Sequence, residues 1–285
     1  MNPLDTKPNS AGLILYAGTV AGKRFDEQLV AARSGRFSAI SLFPQVYWKA
    51  RHAGHSDADL RAMLSEHGVT VSAVEPLLNW VPGEAFPGSS LLTKHMPSED
   101  AFYRLADAIG ASNLIVVWAR KKRMPENQLI DAFGGLCQRA ARHGLQVHLE
   151  FLPWTQVCNI KVALRLVTAA AQANGGVMFD SWHHYRSGGG VAELQGIDGR
   201  LISAVQLSDA PEKAGRFLQI EALRGRRLPG EGDINLPAIT QALLTCGCAA
   251  PWGIEVFSSR LRKLDATTLG AMARASLDRC TPISN

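Results

Sequence analysis

Val177-Met178-Phe179-Asp180-Ser181-Trp182-His183-His184 is a short apolar run that ends in a carboxylate and two imidazoles. Burying an acid and a histidine at a strand tip is poor packing unless they are paired or bind something, so the run reads as a strand built for chemistry. Three other runs end in the same manner: Val147-His148-Leu149-Glu150, Ala204-Val205-Gln206-Leu207-Ser208-Asp209 and Trp252-Gly253-Ile254-Glu255. Four strands tipped by oxygen-bearing side chains point to one metal site at one end of a parallel barrel.

Outward from that stretch, strand and helix patterns alternate along the chain. Apolar runs predict strands at 12–17, 37–43, 69–75, 113–118, 145–150, 177–180, 201–207 and 252–257, with helical spacing in the intervals between them. Ser56 with Asp59 three residues later resembles a capping box, and Gly68 is a helix stop. Glu75-Pro76 is expected to end the third strand. Residues 44–55, 79–97 and 209–233 read as long loops, a length that usually carries function or covers something. Eight alternations predict one (β/α)8 barrel over residues 11–285, preceded by a loose polar arm at 1–10, with an open doubly wound sheet as the alternative. A chain of 285 residues suits one such domain, for which roughly 250 is typical.

Composition narrows the function classes. With 46% hydrophobic and 19% charged residues, the chain has material for a large core. A net charge of +5 is mild, and the Arg120-Lys121-Lys122-Arg123 cluster stands alone rather than in a basic, aromatic-interleaved stripe, which argues against nucleic acid as a partner. Five scattered cysteines fit neither a disulfide framework nor a zinc-ligand spacing, so a reducing compartment is expected. The N-terminus lacks a basic signal-peptide start, and no apolar run reaches the ~18 residues of a membrane span, so the expectation is a cytoplasmic protein acting on a small molecule. A homo-oligomer is compatible with this.

In a barrel of this kind, functional side chains gather at the C-terminal strand ends. Glu150, Asp180, Gln206 and Glu255 sit at or beside such ends on strands five to eight, which are neighbours around the ring. One acid at a strand end is ordinarily a helix cap or an arginine partner; four oxygen donors on consecutive strands call for a divalent cation, Mn²⁺, Mg²⁺ or Co²⁺. Zn²⁺ is less favoured because the set offers no cysteine and at most one histidine. His183, three residues past Asp180, is a candidate acid/base or substrate anchor, and His184 is the blander of the pair. His148 alternates with Glu150 and belongs one layer deeper. Arg227, within Arg226-Arg227-Leu228-Pro229-Gly230-Glu231-Gly232-Asp233, is the candidate to hold a substrate carboxylate, phosphate or ketone oxygen. Glu75, His52, Trp118 and Trp154 are further candidates for the pocket wall.

At Leu149-Glu150, Asp180-x-x-His183, Gln206-x-x-Asp209, Pro229-Gly230-x-Gly232-Asp233 and Gly253-Ile254-Glu255 the sequence resembles the xylose-isomerase-like TIM barrels, which include sugar isomerases, epimerases and related lyases. The resemblance covers nearly the whole chain. It implies metal ligation by Glu150, Asp180, Gln206 and Glu255, with Glu150 and Glu255 doubling as the acid/base pair. Most members carry histidine where this chain has Gln206, and glutamine there resembles the dehydroshikimate dehydratase branch. The first half departs from that branch: Glu75-Pro76-Leu77-Leu78-Asn79-Trp80 stands where a carboxylate-binding arginine is expected, which implies a less acidic substrate. The expected activity is a metal-dependent isomerase or epimerase working through an enediolate. The alternatives are a dehydratase or lyase, and a non-catalytic sugar-binding barrel. A multi-metal phosphodiesterase on the same fold would need more histidines at strand ends and a broad basic groove.

Overall fold

A computed structural model describes residues 12–83, 97–120 and 123–280. The expected arm at 1–10, most of the loop at 79–97 and Lys121-Lys122 lie outside these residues. Eight strands close into a parallel barrel in sequence order, β1 pairing with both β2 and β8. They are β1 (Ile14–Leu15), β2 (Ala39–Leu42), β3 (Thr70–Leu77), β4 (Asn113–Val117), β5 (Gln146–Glu150), β6 (Gly175–Asp180), β7 (Ile202–Leu207) and β8 (Trp252–Ile254). The helices are α1 (Phe25–Ser34), α2 (Pro44–His52), α3 (Asp57–His67), α4 (Glu99–Ile109), α5 (Glu126–Ala141), α6 (Ile160–Ala170), α7 (Ser181–Arg186), α8 (Leu218–Arg224), α9 (Leu236–Thr245) and α10 (Ala266–Cys280). The open-sheet alternative is thereby excluded.

Each strand has two buried faces, which is why the strand sequences read as unbroken apolar runs. On β6, Val177 and Phe179 join the large core beneath the helices, while Met178 joins Ile14, Tyr16, Ala39, Ala73, Ile115 and Ala204 inside the barrel. Side chains alternate with period two, so the residues two positions on form the next layer towards the C-terminal end. From Ala39, Ala73, His148, Met178, Ala204 and Gly253 that step gives Ser41, Glu75, Glu150, Asp180, Gln206 and Glu255. The strand register steps around the ring: Asp180 pairs with Gln206, but Glu150 pairs with Met178 and Gln206 also with Gly253, so the upper set meets at the mouth through its side chains.

The Ser56 capping box forms with Asp59, and Gly68 closes α3 in the left-handed conformation. Three short helices differ from the expected loops. Residues 44–52 form α2, with a proline in its first turn; α7 follows Asp180 directly; and α8 lies inside the stretch 209–233. Helices of six to nine residues carry too few turns for a periodic apolar stripe to register. β3 also runs through Pro76 to Leu77 instead of stopping at Glu75. No helix among the described residues is long and apolar enough to cross a membrane.

The first and last helices close the ring with a backbone-to-backbone approach at one point: a Cβ on Gly270 of α10 would lie 1.9 Å from the Ala31 carbonyl oxygen of α1. Gly270→Ala is therefore expected to lower stability by about 2 kcal/mol or more, the scale of overpacking at a rigid contact. Gly134→Ala, where the nearest atom is 3.9 Å away, should instead be neutral or stabilising by up to about 1 kcal/mol through helix propensity. Urea denaturation of the two variants measures both; equal effects would contradict the packing argument.

Candidate active site

Four carboxyl groups share the layer at the C-terminal mouth. Glu75, Glu150, Asp180 and Glu255 are all buried, as is Gln206. The Gln206 side chain lies 3.3 Å from both Asp180 Oδ2 and Glu255 Oε2. With its amide oxygen towards them, three oxygens face one another, an arrangement that a cation would relieve; with the amide turned, its nitrogen donates to both. Ligand atoms of Glu150, Asp180 and His183 lie within 4.8 Å of one another. The donor set therefore fits a hard or borderline divalent ion: several carboxylate oxygens, an amide oxygen and one imidazole in a confined pocket.

Among the described residues, one cationic side chain stands among these acids, that of Arg226. Its Nη1 donates to Asp180 Oδ2 at 2.6 Å and to Ser208 Oγ at 3.4 Å, and lies 3.7 Å from Glu255 Oε2. Its guanidinium stacks over Trp182 and Phe257 at 5.2 and 5.3 Å from the ring centroids. The expected Arg227 is exposed, with Nη1 on the Glu231 carbonyl. The reason is local: Asp209 and Arg227 form an antiparallel bridge, so neighbouring side chains point to opposite sides and Arg226 takes the inward one.

His183 is brought to the same place. Nη2 of Arg226 lies 3.0 Å from its Nε2, and a guanidinium can only donate, so Nε2 accepts and the ring proton is on Nδ1. Burial lowers this imidazole to about 3, and it stays neutral. Its 3.4 Å approach to Glu150 Oε1 is accordingly not an ion pair. Trp154 meets the His183 ring edge-on at 5.6 Å. Trp118 is buried against Trp80, with ring centroids 6.0 Å apart, and His52 is exposed on α2 with Nδ1 on the Trp48 carbonyl. Neither is joined to the acids by any hydrogen bond or ring contact among the described residues. His148 sits one layer below Glu150, facing a hollow lined by Ala39, Ala73 and Ala204, and burial lowers it to about 4.

The acids are electrostatically unequal. Burial, then Asp180, raises Glu150 well above the carboxylate range; burial, then Glu75, does the same to Glu255. Burial would also raise Asp180, but Arg226 and the His183 backbone N–H hold it below its ordinary value. Asp180 thus fills both ordinary roles of a strand-end acid. Its Oδ1 caps α7 through His183 N at 2.9 Å, and its Oδ2 pairs with arginine while also facing Gln206.

Asp209, another motif residue, serves the loop. Its two oxygens accept N–H bonds from Ala210, Gly230, Gly232 and Ile234 at 2.8–3.0 Å. A Cβ on Gly232 would fall 2.3 Å from Asp209 Oδ1, which is why a glycine stands there.

A family model described as the xylose isomerase-like TIM barrel matches residues 30–280. The chain belongs to this family. It is 26% identical over 242 residues to a 3-dehydroshikimate dehydratase of Pseudomonas aeruginosa, covering 83% of this chain and 36% of that protein. It is 31% identical over 129 residues to an inosose isomerase of Bacillus velezensis, covering 45% of each. The chain thus spans little more than a third of the dehydratase it matches. The fold is similar to that of an IolI protein crystallised with a zinc atom, with a TM-score of 0.82, 20% identity, and 96% and 98% of the two chains covered. The curated relatives it matches are named as dehydratases and isomerases.

Glu75 gives the site a measurable pH signature. It accepts a short hydrogen bond from Ser41 Oγ, and burial raises its carboxyl from 4.5 to about 7. A value raised on folding stabilises fully below about pH 4.5 and loses that contribution as pH rises through about 7. Glu75→Gln is expected to remove that share of the decline, so that the stability difference between variant and wild type moves in the variant's favour from pH 4.5 to pH 7.5. Urea midpoints in chelator across this range test it; a difference independent of pH would refute the assignment.

Proposed function

We propose that this barrel is a divalent-metal-dependent enzyme that removes a proton next to the carbonyl of a small hydroxylated ketone or aldehyde. The observation that carries the reading is the buried layer in which Glu150, Asp180, Gln206 and Glu255 converge. Three carboxyl groups in one dry pocket call for a cation as well as the single charge of Arg226. Glu150, Asp180, Gln206 and Glu255 would hold Mn²⁺, Mg²⁺ or Co²⁺, and His183 Nε2 is close enough to Glu150 and Asp180 to join them or to yield to substrate. A bound ion would supply Lewis-acid polarisation of the carbonyl oxygen.

The protein's own groups do the rest. Arg226 Nη2 and the Nδ1–H of His183, which has no hydrogen-bond partner among the described residues, offer donors to substrate oxygens. Glu150 and Glu255 move the proton, one taking it from carbon and the other returning it. Trp154 and Trp182 wall the pocket and keep water from the carbanion. Glu75 lies in the same layer and limits how much further negative charge the substrate can bring, in keeping with a less acidic substrate.

The first fate of the enediolate is reprotonation, an isomerase or epimerase outcome, because two acids stand ready to exchange the proton. The second is loss of a β-hydroxyl, a dehydratase outcome, favoured by Gln206 and by the longer alignment with the dehydratase. Both share the first step.

Chelator-treated protein is expected to lose activity and regain it with Mn²⁺, Mg²⁺ or Co²⁺; full activity in chelator would sink the metal role. Glu150→Gln should lower kcat by about 10²-fold or more, the usual range for a proton-transfer group, in steady-state assays. Incubation with inosose, ketohexoses and 3-dehydroshikimate in D₂O separates the fates by mass spectrometry. Deuterium in recovered substrate or its isomer marks reprotonation, and an unsaturated product lacking water marks elimination.

A further inference from the structure

Arg226 reaches the acids from the end of a long arm, residues 208–225, and that arm is held by a second buried ion pair away from the acids. Arg186, at the end of α7, donates from Nε and Nη2 to Glu221 Oε1 of α8 at 2.8 and 2.6 Å. The same guanidinium donates to the carbonyls of Pro211 at 2.7 Å and Glu212 at 3.3 Å. Glu221 Oε2 accepts the Gly215 N–H at 2.5 Å. The side chains of Arg186 and Glu221 are only 5% and 8% exposed.

The backbone around Glu221 then leads directly to Arg226. The Glu221 carbonyl accepts Gly225 N at 2.8 Å, and the Ala222 carbonyl accepts Arg226 Nε at 3.0 Å. Trp182 carries both cations, with Arg186 5.8 Å and Arg226 5.2 Å from its ring centroid. A buried ion pair is a weak source of net stability, because desolvation offsets most of the attraction. What these directed bonds supply is orientation: the start of the arm, α8 and the guanidinium become one rigid unit fixed to the helix that begins at Asp180.

We infer that Arg186 and Glu221 are positioning residues that hold Arg226 against Asp180 and so set the charge at the acid layer. This deepens the proposed function, because it rests on the reading that Arg226 works in that site. Its consequence is electrostatic. A fixed positive charge beside the acids opposes a second cation, so whatever frees Arg226 strengthens metal binding.

The test uses the whole chain and Mn²⁺ alone, with binding followed by electron paramagnetic resonance. Arg226→Met is expected to bind Mn²⁺ about tenfold more tightly than wild type, and the double variant Arg186→Met/Glu221→Leu about fivefold more tightly. Adding the double variant to Arg226→Met should give no further gain over Arg226→Met alone. Crystal structures of the double variant should show Arg226 displaced from Asp180 with Asp180 and Glu255 in place. An unchanged Mn²⁺ affinity with Arg226 still on Asp180 overturns the inference. So does weakened binding that tracks a loss of thermal stability, since a merely structural pair predicts that. If the double variant does not fold, Glu221→Gln, which keeps the shape, should shift Mn²⁺ affinity in the same direction by a smaller factor. Should wild type bind no Mn²⁺ at all, the metal reading fails separately, and the position of Arg226 in the variant crystals still decides the pair.

Discussion

Four buried carboxyl groups in one layer, with one arginine among them, are the constraint on which the rest of this barrel depends. Like charges in a medium of low polarisability raise one another's proton affinity, as burial and mutual repulsion do for Glu150 and Glu255. A layer of this kind persists only where the surrounding structure fixes it. Here the barrel does so, because six strands each deliver one side chain to the C-terminal mouth, two positions beyond an inward-facing residue of the same strand. Hydrophobic contact beneath the helices secures the strands, and that surplus of stability offsets the unfavourable charge at the mouth.

The layer is also asymmetric. Arg226 favours the ionised form of Asp180, leaving Glu150 and Glu255 as the acids most ready to hold a proton. A pocket that combines an ionised carboxylate with protonatable neighbours can both take up and return a proton. Asp209 and the Arg186–Glu221 pair contribute at a distance, by giving a long loop enough directed hydrogen bonds to hold one guanidinium in place.

Much of this was legible in the residues. Apolar runs mark the strands because both faces of a parallel strand are buried, and acids at the tips of such runs stand out against that background. Glu150, Asp180, Gln206 and Glu255 were accessible for this reason, and His148 fell one layer down by alternation alone. Glu75 was visible only as a pocket-wall candidate, since nothing in its neighbourhood fixes its height; the barrel brings it to Ser41 Oγ and close enough to Glu255 to raise that carboxyl. His52 and Trp118 illustrate the opposite error. Both follow strands in sequence, yet α2 turns His52 to solvent and Trp80 covers Trp118.

By itself, then, the sequence determined the eightfold alternation, the barrel and the four polar strand tips that are buried together, because these follow from local periodicity and from the high free energy of burying an unpaired acid. Only the tertiary structure decided which arginine enters the site, which tautomer His183 adopts and what Asp209 binds. Each of these depends on a contact between segments distant in the chain: the Asp209–Arg227 bridge, the Arg226–His183 hydrogen bond and the N–H groups around Gly230 and Gly232. Adjacent arginines are equivalent in a sequence; a bridge on one of them sends the other inward.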